Sequence, residues 1–323
     1  MNTATIKNPV NQNIKKLKWA KTVSKMKKYK VLYIFLTPGI LLLILFSYIP
    51  MIGLTMVFQN YDPISGFLRS TWCGLDNFRI LFNSPSFASS MKNTLIISSL
   101  KLIITFPLPI IFALLLNELR TLKFKKTVQT ITYLPHFTSW VIVAGIWYKM
   151  LSPNDGIINQ LLLTLNIVEE PIYFMQSEFW FYVVLIFTEI WKSVAYGSIY
   201  FLASISSIDV EQYEAAVIDG AGRFKQAIYI TLPGMKPTIV LMSIFAVSSL
   251  LDAGFNQLWT MGNLSVRNVA EILDTAVLRT LTSGSIQDLS IGAAMGFFKS
   301  IVGAILFLGA NLLARAIKQE SIV

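Results

Sequence analysis

The sequence predicts an all-α integral membrane protein that crosses the bilayer six times. Two observations carry this. Of 323 residues, 54% are hydrophobic and only 14% charged, with a mean hydropathy of +0.60. That is too little polar surface for a soluble domain. Apolar runs also recur at lengths near the roughly 20 helical residues that cross a bilayer. The connectors between them alternate in character. The N-terminal tail and the 117–127 loop are basic, whereas 151–178 holds Asp155, Glu169, Glu170 and Glu178 with no lysine or arginine. The positive-inside rule then predicts both termini and the 209–233 stretch in the cytoplasm. The location implied is the cell membrane.

The domain reading is a basic tail over 1–30 and a six-span domain over 31–323. The tail carries nine lysines and no acid, which is most of the net charge of +10. It is either a plain topology anchor or a basic amphipathic helix on the membrane surface. Anionic membrane lipid fits it better than nucleic acid. The single cysteine, Cys73, excludes an intrachain disulfide framework.

The first span is predicted over 31–58, with Pro38 and Pro50 inside it or near its ends, and the polar segment 59–92 follows. The second, 94–116, is interrupted by Lys101, Pro107 and Pro109. The third, 128–150, contains Pro135 and the only histidine, His136. His136 reads as a hydrogen-bonded packing residue rather than a catalyst. The fourth, 179–202, holds Glu189, Trp191 and Lys192. The fifth, 238–259, ends in Asp252, Asn256, Gln257 and Trp259. The sixth, 289–314, carries Gly292 and Gly296 at a spacing that lets helices approach closely.

The stretch 209–233, DVEQYEAAVIDGAGRFKQAIYITLP, organises the chain. Asp209 can N-cap a short helix, with Gln212 as the partner in a capping box. Tyr213, Ala216 and Val217 fall on one face, and Gly220 and Gly222 stop the helix. Such a helix suits docking in another protein's groove, or it lies on lipid headgroups.

Glu214-Ala215-Ala216, then Gly220, then Ile230, Leu232 and Pro233 resemble the EAA motif of binding-protein-dependent ABC importer permeases. The likeness covers nearly the whole chain after the tail. It is closest to the maltose-type carbohydrate class and its polysaccharide and oligosaccharide subgroup. The Tyr133-Leu134-Pro135-His136-Phe137 string points the same way. The resemblance implies an ABC importer type I permease fold whose EAA loop forms a cytoplasmic coupling helix. It implies a second permease, two ATP-binding subunits and an extracytoplasmic solute-binding protein as partners. ATP and Mg would sit in those ATPase subunits, with no cofactor in this chain. The cargo implied is a carbohydrate.

No Gly-rich phosphate loop, HExxH or zinc-spaced Cys/His cluster occurs, so the chain reads as a permease subunit and not an enzyme. The informative residues are charges inside spans: Lys101, Glu189, Lys192, Asp252 and Lys299. Each costs about 2.5–3.5 kcal/mol at the bilayer centre and must face protein or water. Glu189 and Lys192 are expected to pair along one helix face, and Asp252 with Lys299. Asp252, Asn256, Gln257, Trp259 and Lys299 are the candidate substrate path, because amides and carboxylates bond hydroxyls while aromatic faces cover sugar C–H surfaces. Two rivals stay open. An ion-coupled secondary transporter would explain the buried charges but not the coupling motif. An intramembrane enzyme on a glycan or lipid would need a convergent acid–base set.

Overall fold

A computed structural model describes Lys25, residues 28–283 and residues 286–316. The rest of the basic tail lies outside the described residues. The chain divides into two compact units, Met1–Thr55 and Met56–Val323. The first contains most of α1 (Lys30–Phe58), which is α-helical over Lys30–Leu43, a π turn over Ile44–Tyr48 and 3-10 over Ile49–Phe58.

The second unit opens with an antiparallel hairpin, β1 (Gln59–Asn60) and β2 (Thr71–Trp72), in which Gln59 faces Trp72. In α2 (Asp76–Phe82), buried Asn77 donates to the carbonyls of Val57 and Gln59 at 2.9 and 3.0 Å. The next apolar rod is α3 (Pro85–Thr105) continued by α4 (Pro107–Asn117). Proline at the first position of a helix has no N–H to lose, so α4 can restart there.

The predicted third span is broken. α5 (Leu122–Tyr133) runs into a 3-10 turn, Leu134–Phe137, and α6 (Trp140–Met150) starts afresh. Pro135 and extended backbone at Thr138 and Ser139 separate them, and the Ser139 hydroxyl caps α6 by accepting the Ile142 N–H at 3.4 Å. After α7 (Ile157–Thr164), the fourth span is α8 (Glu178–Glu189), a π turn (Ile190–Val194) and α9 (Ala195–Ile205).

α10 (Val210–Ile218) leads to α11 (Arg223–Gln226), a further π turn (Ala227–Thr231) and Leu232–Gly234. A 60° bend joins this to α12 (Lys236–Ser248). The predicted fifth span is thus also broken: α12 stops at Ser248 and α13 (Phe255–Met261) begins after Gly254, at φ +94°. α14 (Leu273–Thr282) and α15 (Ile286–Ala316) complete the described chain. Among the described residues four helices are long and apolar enough to cross a membrane, or five if the bent pair is one span, and α6 is a shorter apolar helix. Of the six predicted spans, the third and the fifth are each built from more than one helix.

Among the described residues the core has three patches. Ile97, Phe181, Leu185, Leu258 and Met261 join α3, α8 and α13. Leu81, Phe87, Leu273 and Met295 join α2, α3, α14 and α15. Ala113, Phe201, Ile205 and Met235 join α4, α9 and the base of α12. Of the two glycines spaced for close packing, only Gly292 is used: a Cβ there would sit 3.0 Å from Leu281, whereas Gly296 faces open space.

Candidate functional site

Two places hold the sequence-predicted residues. The first is α10. The Asp209 carboxylate caps it by accepting the Glu211 N–H at 3.0 Å, while the Gln212 N–H bonds the Asp209 backbone carbonyl at 3.3 Å. The cap is as expected, and the Gln212 side chain is not its partner. At the other end, Gly220 adopts φ +77°, the Ala221 N–H donates to Ala216 at 2.8 Å, and the Gly220 N–H donates to Val217 at 3.0 Å. This paired Schellman closure needs the left-handed residue that glycine supplies. Gly222, at φ −68°, does not share that role.

Tyr213 ties the helix back: its hydroxyl lies 2.9 Å from Thr231 Oγ1. Gln226 donates to the Ala221 carbonyl at 2.8 Å, and Arg223 reaches Glu118 just past α4 at 3.2 Å. Gly234 lets Ile208 pack on it, since a Cβ would come within 2.6 Å of that side chain. Tyr213, Ala216 and Ile230 are half-buried in this support, while Glu214, Ala215 and Val217 face outward. Ile218 is 86% and Phe224 79% exposed, so an apolar edge is presented beside an acid. Leu232 and Pro233 open the last turn before the bend and are exposed.

The second place is the set of charges within the apolar helices. Lys101 donates to Glu189 Oε2 at 3.0 Å, to the Ala253 carbonyl at 2.8 Å and to Gln257 Oε1 at 2.6 Å. Gln257 is fully buried and donates onward to Leu185 and Thr188 at 2.8 and 2.9 Å. It braces α13 and lines no open surface, which corrects its placement on the path. Lys192 does not pair with Glu189. It donates to the carbonyls of Pro135, His136 and Thr138 at 3.3, 2.7 and 2.6 Å, over the Trp140 ring. A π turn closes at i+5 instead of i+4, so the two side chains leave the face they would share on an α-helix. His136 packs by stacking on Tyr196, centroids 3.7 Å apart, and its Nδ1 makes no hydrogen bond.

Lys299 does not pair with Asp252 either. It takes both oxygens of Asp274, at 2.6 and 2.8 Å. Among the described residues Asp252 accepts only the Gly254 N–H, at 3.3 Å, within its own turn. A cleft of about 420 Å³ still brings Asp252, Phe255, Asp274 and Lys299 together. Trp259 stacks on Phe255 one turn away and carries the Arg279 guanidinium 5.3 Å from its centroid. Asn256, on the same helix, is exposed. Two path residues, Asp252 and Lys299, therefore line the cleft, Trp259 adjoins it through Phe255, and Asp274 and Arg279 are additions that local spacing did not reveal. Among the described residues no three His, Cys, Asp or Glu side chains converge as a metal site needs.

No family model matches the chain. Among curated proteins, Protein LplB of Bacillus subtilis (strain 168) is 42% identical over 301 residues, 93% of each chain. The polygalacturonan/rhamnogalacturonan transport system permease protein YteP of the same strain is 42% identical over 309 residues, 95% of each. Among solved structures, a bacterial alginate ABC transporter in complex with an alginate pentasaccharide-bound periplasmic protein contains a chain that superposes with a TM-score of 0.84. It is 35% identical, over 93% of this chain and 99% of that one. With permease relatives matched nearly end to end, and a fold shared with a transporter chain at that identity, the protein belongs to the membrane-spanning permease subunits of ABC importers.

Proposed function

We propose that this permease carries a carbohydrate, an oligosaccharide or polysaccharide fragment, handed to it by an extracytoplasmic binding protein. The names of its relatives support the cargo class, and the periplasmic partner in the alginate structure supports the delivery route. The chain works in the cell membrane with both termini cytoplasmic, beside a second permease and two ATPase subunits that hold ATP and Mg. α10 is the coupling element. Glu214 meets a basic group of the ATPase, Ala215 and Ala216 sit flush in its groove, and Gly220 turns the chain back. Closure of the ATPases displaces α10, and the spans swing as rigid bodies between inward-open and outward-open states. Asp252, Asn256, Trp259 and the Lys299–Asp274 pair line this chain's share of the path.

The observation that carries the coupling role is the combination of exposure and support at α10. Its outward residues have no partner within the described chain, yet its backbone is held at both ends. Of the charges that favoured an ion-coupled transporter, all but Asp252 are already committed, Lys101 to Glu189, Lys299 to Asp274 and Lys192 to backbone carbonyls.

The test is assembly and hydrolysis in reconstituted vesicles, with and without loaded binding protein. Ala215→Trp adds volume on the outward face, where a packed interface tolerates little. Glu214→Ala removes a charge worth about 2–5 kcal/mol if its pair is desolvated. Both variants are expected to insert and to pair with the second permease. They should lose the ATPases or lose binding-protein-stimulated hydrolysis, and uptake with either. Normal stimulated hydrolysis by Ala215→Trp would remove α10 from the coupling role.

A further inference from the structure

The apolar rods are interrupted between α5 and α6, at the π turn between α8 and α9, and between α12 and α13. A carbonyl released from a helix inside a bilayer has no water to bond, so each break needs an internal donor. Lys192, inside the π turn, supplies the first break with three hydrogen bonds. Lys101 supplies the last. Its three contacts, to Ala253, Gln257 and Glu189, use the three hydrogens of an ammonium. Glu189, the last residue of α8, neutralises the charge. The pair is mostly buried, with side-chain exposures of 13% and 20%.

Gly254 fits this arrangement in two ways. Its φ of +94° is left-handed, and a Cβ would stand 2.6 Å from the Lys101 ammonium. The turn is therefore built around that ammonium. On one side of it stands Asp252, and on the other α13 presents Asn256 and Trp259. Lys101 thus touches the backbone from which the path residues project.

We propose that Lys101 is a positioning residue of the translocation path. By gripping the Ala253 carbonyl and the Gln257 amide it holds the 252–254 turn, and so aims Asp252, Asn256 and Trp259. The inference rests on the path reading above. A lysine in an apolar span invites assignment as a cargo-binding cation, but here every donor is already taken.

The test uses the assembled importer in proteoliposomes. Lys101→Met alone strands Glu189, so the informative variant is Lys101→Met with Glu189→Gln. Lys101→Arg is the conservative control. Turn order is read without transport, as the thiol-labelling rate of Asn256→Cys in a Cys73→Ser background. The paired variant should assemble, label about tenfold faster and lose uptake per ATP by a similar factor, the scale of a lost charge-assisted hydrogen bond. Lys101→Arg should keep both near the native level. Trp259→Ala should lower uptake in the native chain and add no further loss in the paired variant. An unchanged labelling rate would overturn the proposal whatever uptake does, and so would additive losses. Faster labelling with uptake indifferent to Trp259→Ala would support the grip of Lys101 on the turn and refute only the path reading. Where the paired variant fails to assemble, Lys101→Gln with Glu189→Gln keeps a neutral hydrogen-bond donor on a shorter side chain and leaves no stranded charge, and its labelling rate decides in the same way.

Discussion

Lys299 and Asp274 make the ion pair that faces the cleft, with Asp252 beside it but unattached. Asp274→Asn should leave Lys299 short of its counter-charge, at a cost of about 1.5–3 kcal/mol for a charge-assisted bond at this partial burial. The pair Asp274→Asn with Lys299→Gln should recover most of that, and Asp252→Asn should cost little. Thermal unfolding of the purified complex measures all three, and a destabilising Asp252→Asn would reinstate the pairing first expected. That residues 101, 189, 192, 252 and 299 needed partners was legible from hydropathy alone. Which partners they take was not. Lys101 and Glu189 lie 88 residues apart, and local spacing carries no information on such contacts. Where spacing did speak, for Glu189 and Lys192, a π turn changed the angle that the rule assumes.

At the scale of elements, α10 was the most legible and the broken spans the least. Its cap, its small residues and its glycine stop are all local signals, and the helix forms between Asp209 and Gly220 as they require. Hydropathy averages over about 18 residues and cannot register a two-residue extended link. The serine after Pro135 and the Asp-Ala-Gly run at 252–254 were the available clues to the two breaks. The glycines of the α10 stretch make a sharp comparison. Gly220→Ala forces a left-handed alanine, which costs about 1–2 kcal/mol. Gly222→Ala meets open space at an ordinary φ. Amide exchange at Ala221, whose N–H closes the helix on Ala216, should quicken by roughly 5–30-fold in the first variant and hold steady in the second. Equal exchange in both would deny Gly220 its special part in ending the helix.

For the whole molecule, composition and connector charge carried the membrane class, while the comparisons with permeases carried the family. Orientation is open to a direct measurement. Cysteines placed at Lys123 and at Gly222, in a Cys73→Ser background, should be shielded from an impermeant thiol reagent in intact cells. Labelling of either from outside would overturn the orientation with both termini and α10 in the cytoplasm. The same pair of sites should label in inside-out vesicles, which guards against simple burial.

The π turn at Ile190–Val194 can also be read as an insertion that the fold has absorbed. A π turn fits one more residue into nearly the rotation of an α turn, so deleting one residue there would restore the α-helix and leave the residues beyond it on nearly the same faces. Gly197, which admits Pro109 of α4 within 3.3 Å of where its Cβ would be, would keep that contact, and Ser198 and Phe201 would stay inside. The loss would fall within the turn itself, where Lys192 would move off the three carbonyls it serves. A single-codon loss would therefore spare the helix and its packing, yet leave the neighbouring break without its donor.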